Sequence, residues 1–397
     1  MDFDFTTVYE RLDSIAAEVI PIPDAEVAKG VSRIPMWVAD MSFATAPCVT
    51  RALEERISHP LYGYFRFPQE YYDAIIRWHR VRNGVEGMEP KHIGYENGAL
   101  GALMSAMKVL AQPGDWILLH APTYIGFTTH LEQAGYRIAL SPMVQDENGV
   151  WRMDYADMER QLAEKQIRAA VLCSPHNPCG RVWERWELEK AMALYQKYDC
   201  YVVSDELWSD LALYGNKHIP TQSVSEDARQ RTIAVYAPSK TFNMAGLVGS
   251  YHVIYNDYLR QRITDAGAAT AYNSANVLSM RALIGAYCEE GEAWLEALKK
   301  VLEANFDLAC GYIRDHFDGV TAFHPQGTYM LFVDCEGWCR SHGKTMDDVL
   351  KAGVAAGVIW QDGRAFHGPY SIRMNLALPT ALVQEAFERL DRSVFNA

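Results

Sequence analysis

The sequence predicts an α/β protein in which a mixed, mostly parallel sheet covered by helices is joined to a smaller α+β unit. Three observations carry this. Between about residues 93 and 256, short apolar runs rich in Val and Ile alternate with longer helical patterns, as expected when helices connect parallel strands. Past Asn256 the texture changes to long helices, with 285–317 reading as nearly continuous helix. Short strand-like runs at 328–334 and 370–378 follow, so there helices and strands are segregated rather than alternating.

Taken in order, the first 45 residues hold Pro21, Pro23 and Pro35 and little periodicity, and are expected to wrap around the rest of the chain. The strand candidates of the large unit are 116–121, 137–142, 169–174, 201–206, 232–237 and 251–255, short and dense in β-branched and aliphatic side chains. Between them, 125–134, 154–165 and 185–198 are amphipathic and long enough for helices. The expected division is an N-terminal segment 1–45 packing with the small domain, a large domain 46–285 and a small α+β domain 286–397. No internal repeat or low-complexity segment is visible.

A chain of 397 residues and 44.8 kDa is long enough for a large buried core. Its 49% hydrophobic and 22% charged residues set disordered and fibrous classes aside. The net charge of −13, with no basic run, argues against nucleic-acid or acidic-membrane partners. The first ten residues do not read as a signal peptide, and no uncharged apolar run approaches the ~20 residues that span a bilayer. The eight cysteines are scattered, which suits reduced thiols in the cytoplasm. Cys335, Cys339 and His342 cluster, but without the C-x-x-C spacing of a zinc module, so no metal is expected.

The most informative residue is Lys240, the sole formal charge between Thr232 and Asn256, just past a buried-looking strand. Such a lysine either snorkels to the surface or is a functional amine, since desolvation lowers its pKa and makes it a nucleophile for carbonyl groups. Ligands of open α/β sheets sit beyond the carboxyl ends of strands, and Tyr124, Asn177 and Asp205 follow or close three of the predicted ones. Together they suit pyridoxal phosphate: a carboxylate for the pyridine nitrogen, a donor for the phenolate oxygen, an aromatic face for the ring. A phosphate site is expected at Gly98, Ala99 and Leu100, where a glycine-containing turn opens a helix running to about Leu110. His176 is read as structural.

Ser-Pro-His-Asn-Pro-x-Gly at 174–180, Ser-Asp-Glu at 204–206, Pro-Ser-Lys-Thr-Phe-Asn at 238–243, Met-Trp-Val-Ala-Asp-Met at 36–41 with Phe-Ala-Thr-Ala-Pro at 43–47, and Gly63-Tyr64 resemble the fold-type I pyridoxal phosphate enzymes of the class I/II aminotransferase superfamily. Within it the chain resembles the MalY/PatB-type cystathionine β-lyases over essentially its whole length. The resemblance implies that Lys240 carries the cofactor as a Schiff base and later shuttles the α-proton, and that Asp205 pairs the pyridinium nitrogen. It further implies that Asn177 bonds the phenolate oxygen, Tyr124 stacks on the ring, and Gly98, Ala99 and Leu100 offer amides to the phosphate. Tyr64 would reach that phosphate from a neighbouring subunit, hence a homodimer. Arg373, in an otherwise apolar strand-like stretch, would fork onto the substrate α-carboxylate beside Asn177.

The pattern departs from the family at three places. Trp208 stands where relatives place Tyr or His; Ala237 stands where they often place a serine, leaving Ser239 or Thr241 for the phosphate; and Cys179 replaces a threonine. The expected reaction is β-elimination from cystathionine or another S-substituted cysteine, giving a thiol, pyruvate and ammonia. An aminotransferase producing a 2-oxo acid is the alternative, since Lys240 serves both, and a cofactor-loaded regulatory protein is a minor third reading.

Overall fold

A computed structural model describes residues 3–272 and 274–396. Numbered along the chain, its strands are β1 (Ile34–Pro35), β2 (Ile93–Glu96), β3 (Trp116–Ala121), β4 (Arg137–Gln145), β5 (Trp151–Met153), β6 (Ala169–Cys173), β7 (Tyr201–Asp205), β8 (Thr232–Tyr236) and β9 (Ser250–Val253), then β10 (Thr321–Ala322), β11 (Met330–Asp334), β12 (Val358–Ile359), β13 (Gln361–Asp362) and β14 (Ser371–Asn375).

The central sheet has the order β2-β9-β8-β7-β6-β3-β4-β5. Its middle strands pair in parallel, while β9 runs against both its neighbours and β5 against β4. All five residues of β6 and of β8 are buried, because helices cover both faces of a parallel sheet and leave no polar side to alternate with. With only β9 and β5 reversed, the carboxyl ends of β2, β3, β6, β7 and β8 open onto one edge. That edge is where an open α/β sheet binds ligands.

The smaller sheet is antiparallel, in the order β10-β11-β14-β13. β1 pairs in parallel with β12, Ile34 opposite Val358, and from there a strap runs between the two sheets. Asn375 donates from its backbone to Met36 O (2.7 Å) and from its amide to Val38 O (2.7 Å). On the other side, the Asn243 amide bonds Met41 O and Phe43 O, each at 3.0 Å.

Several elements differ from the sequence-based expectation. The predicted helix over 285–317 is two helices, Val277–Ala286 and Glu289–His316. Tyr287 and Cys288 break it, with the Cys288 sulfur capping the Gly291 amide at 3.4 Å. A Cβ on Gly291 would lie 1.9 Å from Ala286 O, so glycine permits this close turn. The strand expected at 251–255 starts one residue earlier and ends at Val253. The run at 370–378 keeps only β14, because the Leu376 amide turns to bond Tyr329 O (2.9 Å).

The core beneath the Lys240 loop is aromatic. Trp78 stacks on Tyr287 (centroids 4.5 Å) and Phe242 on Trp294 (5.6 Å). Among the described residues no helix is long and apolar enough to cross a membrane. Cys335 and Cys339 are buried, and Cys339 packs its sulfur on that of Met346 at 3.8 Å.

Candidate active site

The five carboxyl-terminal strand ends surround one cavity of about 250 Å³. Beyond β2 the chain turns at Gly98, whose φ of 76° and ψ of 162° lie in a region only glycine occupies freely. The helix Ala99–Leu110 starts there, and its first-turn amides have no helical partner. Ala99, Leu100 and Gly101 line the cavity, so this end presents N–H groups and the positive end of a helix dipole to an anion.

After β3, Tyr124 caps the helix Ile125–Gln133 and turns its half-buried ring toward the cavity. Gly126 allows that pose, since a Cβ there would sit 2.4 Å from the tyrosine ring. Burial raises the Tyr124 pKa, which keeps the hydroxyl protonated at neutral pH.

After β6, Asn177 is buried and joined to Arg373, whose guanidinium donates to Asn177 Oδ1 at 3.3 Å. That bond uses the amide's acceptor and leaves its NH2 as the group offered to the cavity, the right polarity for an oxyanion. The loop behind Asn177 is anchored by the buried Arg181, which bonds Glu187 (2.5 Å) and Glu184 (2.9 Å). His176 is buried against Trp183, and burial pushes its pKa down to about 3, so it stays neutral.

Asp205 closes β7. Burial raises its pKa to about 6, although the Leu207 amide at 3.2 Å and the Lys240 charge oppose the rise. A carboxylate at this cost is ready for a cationic partner, and a protonated ring nitrogen is one. The next residue, Glu206, is fully buried yet held ionised, because burial is outweighed by His218 (2.7 Å), Tyr236, and the Thr221 amide (3.0 Å). Glu206→Ala is expected to strand these donors and lower unfolding stability by about 3–5 kcal/mol, measured by urea denaturation.

Lys240 follows β8. Its ammonium donates to Ala39 O at 2.7 Å and lies 5.9 Å from the Trp208 ring centroid. Burial, and then the charge of Arg373, lower its pKa to about 8, with Asp40 and Asp205 acting the other way. The nucleophile is the unprotonated amine, so capture of added pyridoxal phosphate by cofactor-free protein is expected to accelerate as pH rises through about 8. Stopped-flow absorbance reads that profile; a rate flat between pH 6.5 and 9.5, roughly 1.5 units to either side of that value, contradicts it.

The structure brings Gly98, Ala99, Leu100, Tyr124, Asn177, Asp205, Trp208, Ser239 and Lys240 to this cavity. Arg373 is buried next to it, its fork also donating to Trp37 O (2.9 Å) and Gln361, while its Nε has no partner. Burial lowers its pKa to about 10, which leaves it charged at neutral pH. An orphaned guanidinium N–H beside a lysine fits an incoming carboxylate. Tyr64 is not brought there; its side chain is fully exposed, near Phe65 and Val277.

Sequence reasoning missed Ala39 and Tyr329. Ala39 O accepts from both Lys240 and the Tyr329 hydroxyl (2.8 Å), and the Tyr329 ring meets Trp208 edge-on at 4.7 Å. Ala39 lies in the 36–41 motif, but its role rests on a backbone carbonyl that residue type does not reveal, and no local signal marks Tyr329. The residues fit pyridoxal phosphate on three counts: unpartnered helix amides, a buried carboxylate with a raised pKa, and a lysine with a lowered one.

Comparison with known proteins agrees with this geometry. The chain is 32% identical to cystathionine beta-lyase PatB of Bacillus subtilis over 90% of its own length and 91% of the relative's. Cystalysin from Treponema denticola, a structure containing a pyridoxal 5'-phosphate cofactor, superposes with a TM-score of 0.91 at 28% identity, covering 99% of both chains. The PLP-bound C-S lyase from Staphylococcus hominis does so at 0.90 and 26%, covering 99% of this chain and 98% of that one. Residues 34–390 match the class I and II aminotransferases, and the chain belongs to that family.

Proposed function

We propose that this protein is a pyridoxal phosphate-dependent carbon–sulfur β-lyase that acts on cystathionine or related S-substituted cysteines and releases a thiol, pyruvate and ammonia. Lys240 and Asp205 facing one cavity support the cofactor, and the observation that carries the lyase reading is the similarity over nine-tenths of the chain to a protein named cystathionine β-lyase. Pyridoxal phosphate, when bound, supplies the electron sink for the pair left on the substrate Cα.

The chain's own residues supply the rest. Asp205 would offer its carboxylate to the ring nitrogen, Asn177 and the indole N–H of Trp208 would be neutral donors for the phenolate oxygen, and Tyr124 would supply an aromatic face. Ser239 joins the Gly98, Ala99 and Leu100 amides at the phosphate. Arg373 takes the substrate α-carboxylate and so aims the Cα–H bond at Lys240. The Lys240 amine, increasingly unprotonated as pH rises through about 8, removes that proton, and the Ala39 carbonyl holds the resulting ammonium.

The same reading makes Tyr64 a contribution from a second subunit: its exposed ring has nothing to contact within its own chain's cavity, which supports a homodimer with shared sites. It keeps the division into 1–45, 46–285 and 286–397, and a cytoplasmic setting for thiols that are all unpaired. The test is coupled pyruvate detection with L-cystathionine in the absence of any keto acid. Pyruvate release supports the lyase; turnover that halts until a keto acid is added shows an aminotransferase instead.

A further inference from the structure

Away from the cofactor cavity, two of the eight cysteines meet. Cys48 lies in the first turn of the helix Pro47–Ser58, and Cys288 caps the helix Glu289–His316. Cys48 is buried and Cys288 half-buried, and both line the same cleft between the two helices. The approach is set by Gly285, where a Cβ would lie 2.9 Å from Cys48 O, and whose own carbonyl faces the Cys288 sulfur at 3.2 Å. Both thiols line an open cavity of about 730 Å³ that also exposes Arg51 and Arg281.

We propose that Cys48 and Cys288 form a reversible redox site that is oxidised to a disulfide by low-molecular-weight disulfides. Cys288 is the attacking sulfur. The Cys48 thiol and the Gly291 and Glu290 amides hold its pKa below the ordinary thiol range, while Cys48 is pushed above it. The other six thiols are all pushed above the ordinary range, chiefly by burial. Only Cys288 combines thiolate character with access.

The chemistry balances as ordinary thiol–disulfide exchange. The Cys288 thiolate attacks one sulfur of the oxidant, forming a mixed disulfide and expelling one thiolate, which takes the Cys48 proton. The Cys48 sulfur then attacks the Cys288 sulfur and expels the second thiolate. A protein thiol and a protein thiolate are oxidised, one small disulfide is reduced to a thiol and a thiolate that water protonates, and the two helices become covalently joined.

The site is independent of the lyase reading and is tested on the cofactor-loaded full chain with oxidised glutathione, followed by peptide mapping under non-reducing conditions. The expected result is a Cys48–Cys288 cross-link that dithiothreitol removes. In Cys48→Ser the reaction stops at glutathione on Cys288, at about tenfold higher occupancy than on any of the other six thiols. Unmodified Cys288, a mixed disulfide that persists on Cys288 in the unsubstituted protein, or a cross-link between other cysteines overturns the proposal. The mapping on the unsubstituted chain decides the matter even if the variant folds poorly.

Discussion

Lys240→Ala is expected to lower pyruvate release by about three orders of magnitude and to remove the absorbance band of the lysine-bound cofactor. The size follows from the two duties placed on one amine, covalent attachment and proton transfer, the second alone contributing about 10²–10⁴ in rate. The protein is expected to fold, because the lysine makes one hydrogen bond, to Ala39 O, and its desolvation opposes folding rather than supporting it. Small primary amines added in solution are expected to restore part of the rate by reaching the vacated space. A variant retaining more than about a tenth of the parent rate is incompatible with Lys240 as the base.

Arg373→Lys is expected to raise KM for the amino acid about 10–100-fold, with a smaller fall in kcat. A hydrogen bond to a charged group contributes about 1.5–3 kcal/mol, and 1.4 kcal/mol is a factor of ten. An ammonium keeps the charge but not the planar fork, so it cannot hold Trp37 O, Gln361 and Asn177 while also meeting a carboxylate. Freed from Arg373, Asn177 can also flip its amide, which would show as a changed cofactor absorbance before any substrate is added. Initial-rate kinetics across a substrate series separates the two effects; an unchanged KM places the carboxylate elsewhere.

Much of this site could be read from the sequence because strand ends carry it. Asp205, Asn177, Tyr124 and Lys240 each follow a buried aliphatic run, and those runs are what parallel strands look like in sequence. The β2 strand escaped because Ile-Gly-Tyr-Glu has no apolar run, and its Gly94 is present so that His252 can pack against the backbone. The two-residue strands β1, β12 and β13 carry too few side chains for any pattern. The helix break at Tyr287 and Cys288 was hidden because the apolar spacing continues across it and no Pro or ordinary cap residue marks it; a cysteine caps the second helix and Gly291 leaves room for the turn. Ala39 and Tyr329 entered only through tertiary contact.

The strap that carries Ala39 sets an order on the birth of the protein. The bonds that fix it reach 201 residues ahead to Lys240, 290 to Tyr329 and 337 to Asn375. Chains emerge amino-terminus first, at about 5–20 residues per second, so Lys240 is made and the central sheet can assemble while the far anchors do not yet exist. The strap that holds the lysine's acceptor carbonyl has Lys240 and Asn243 as early anchors but lacks its Asn375 anchor until β14 leaves the ribosome. Such sequence-distant closure slows folding, and it means that a nascent or C-terminally clipped chain can own every cofactor-contacting side chain and still lack a finished active site.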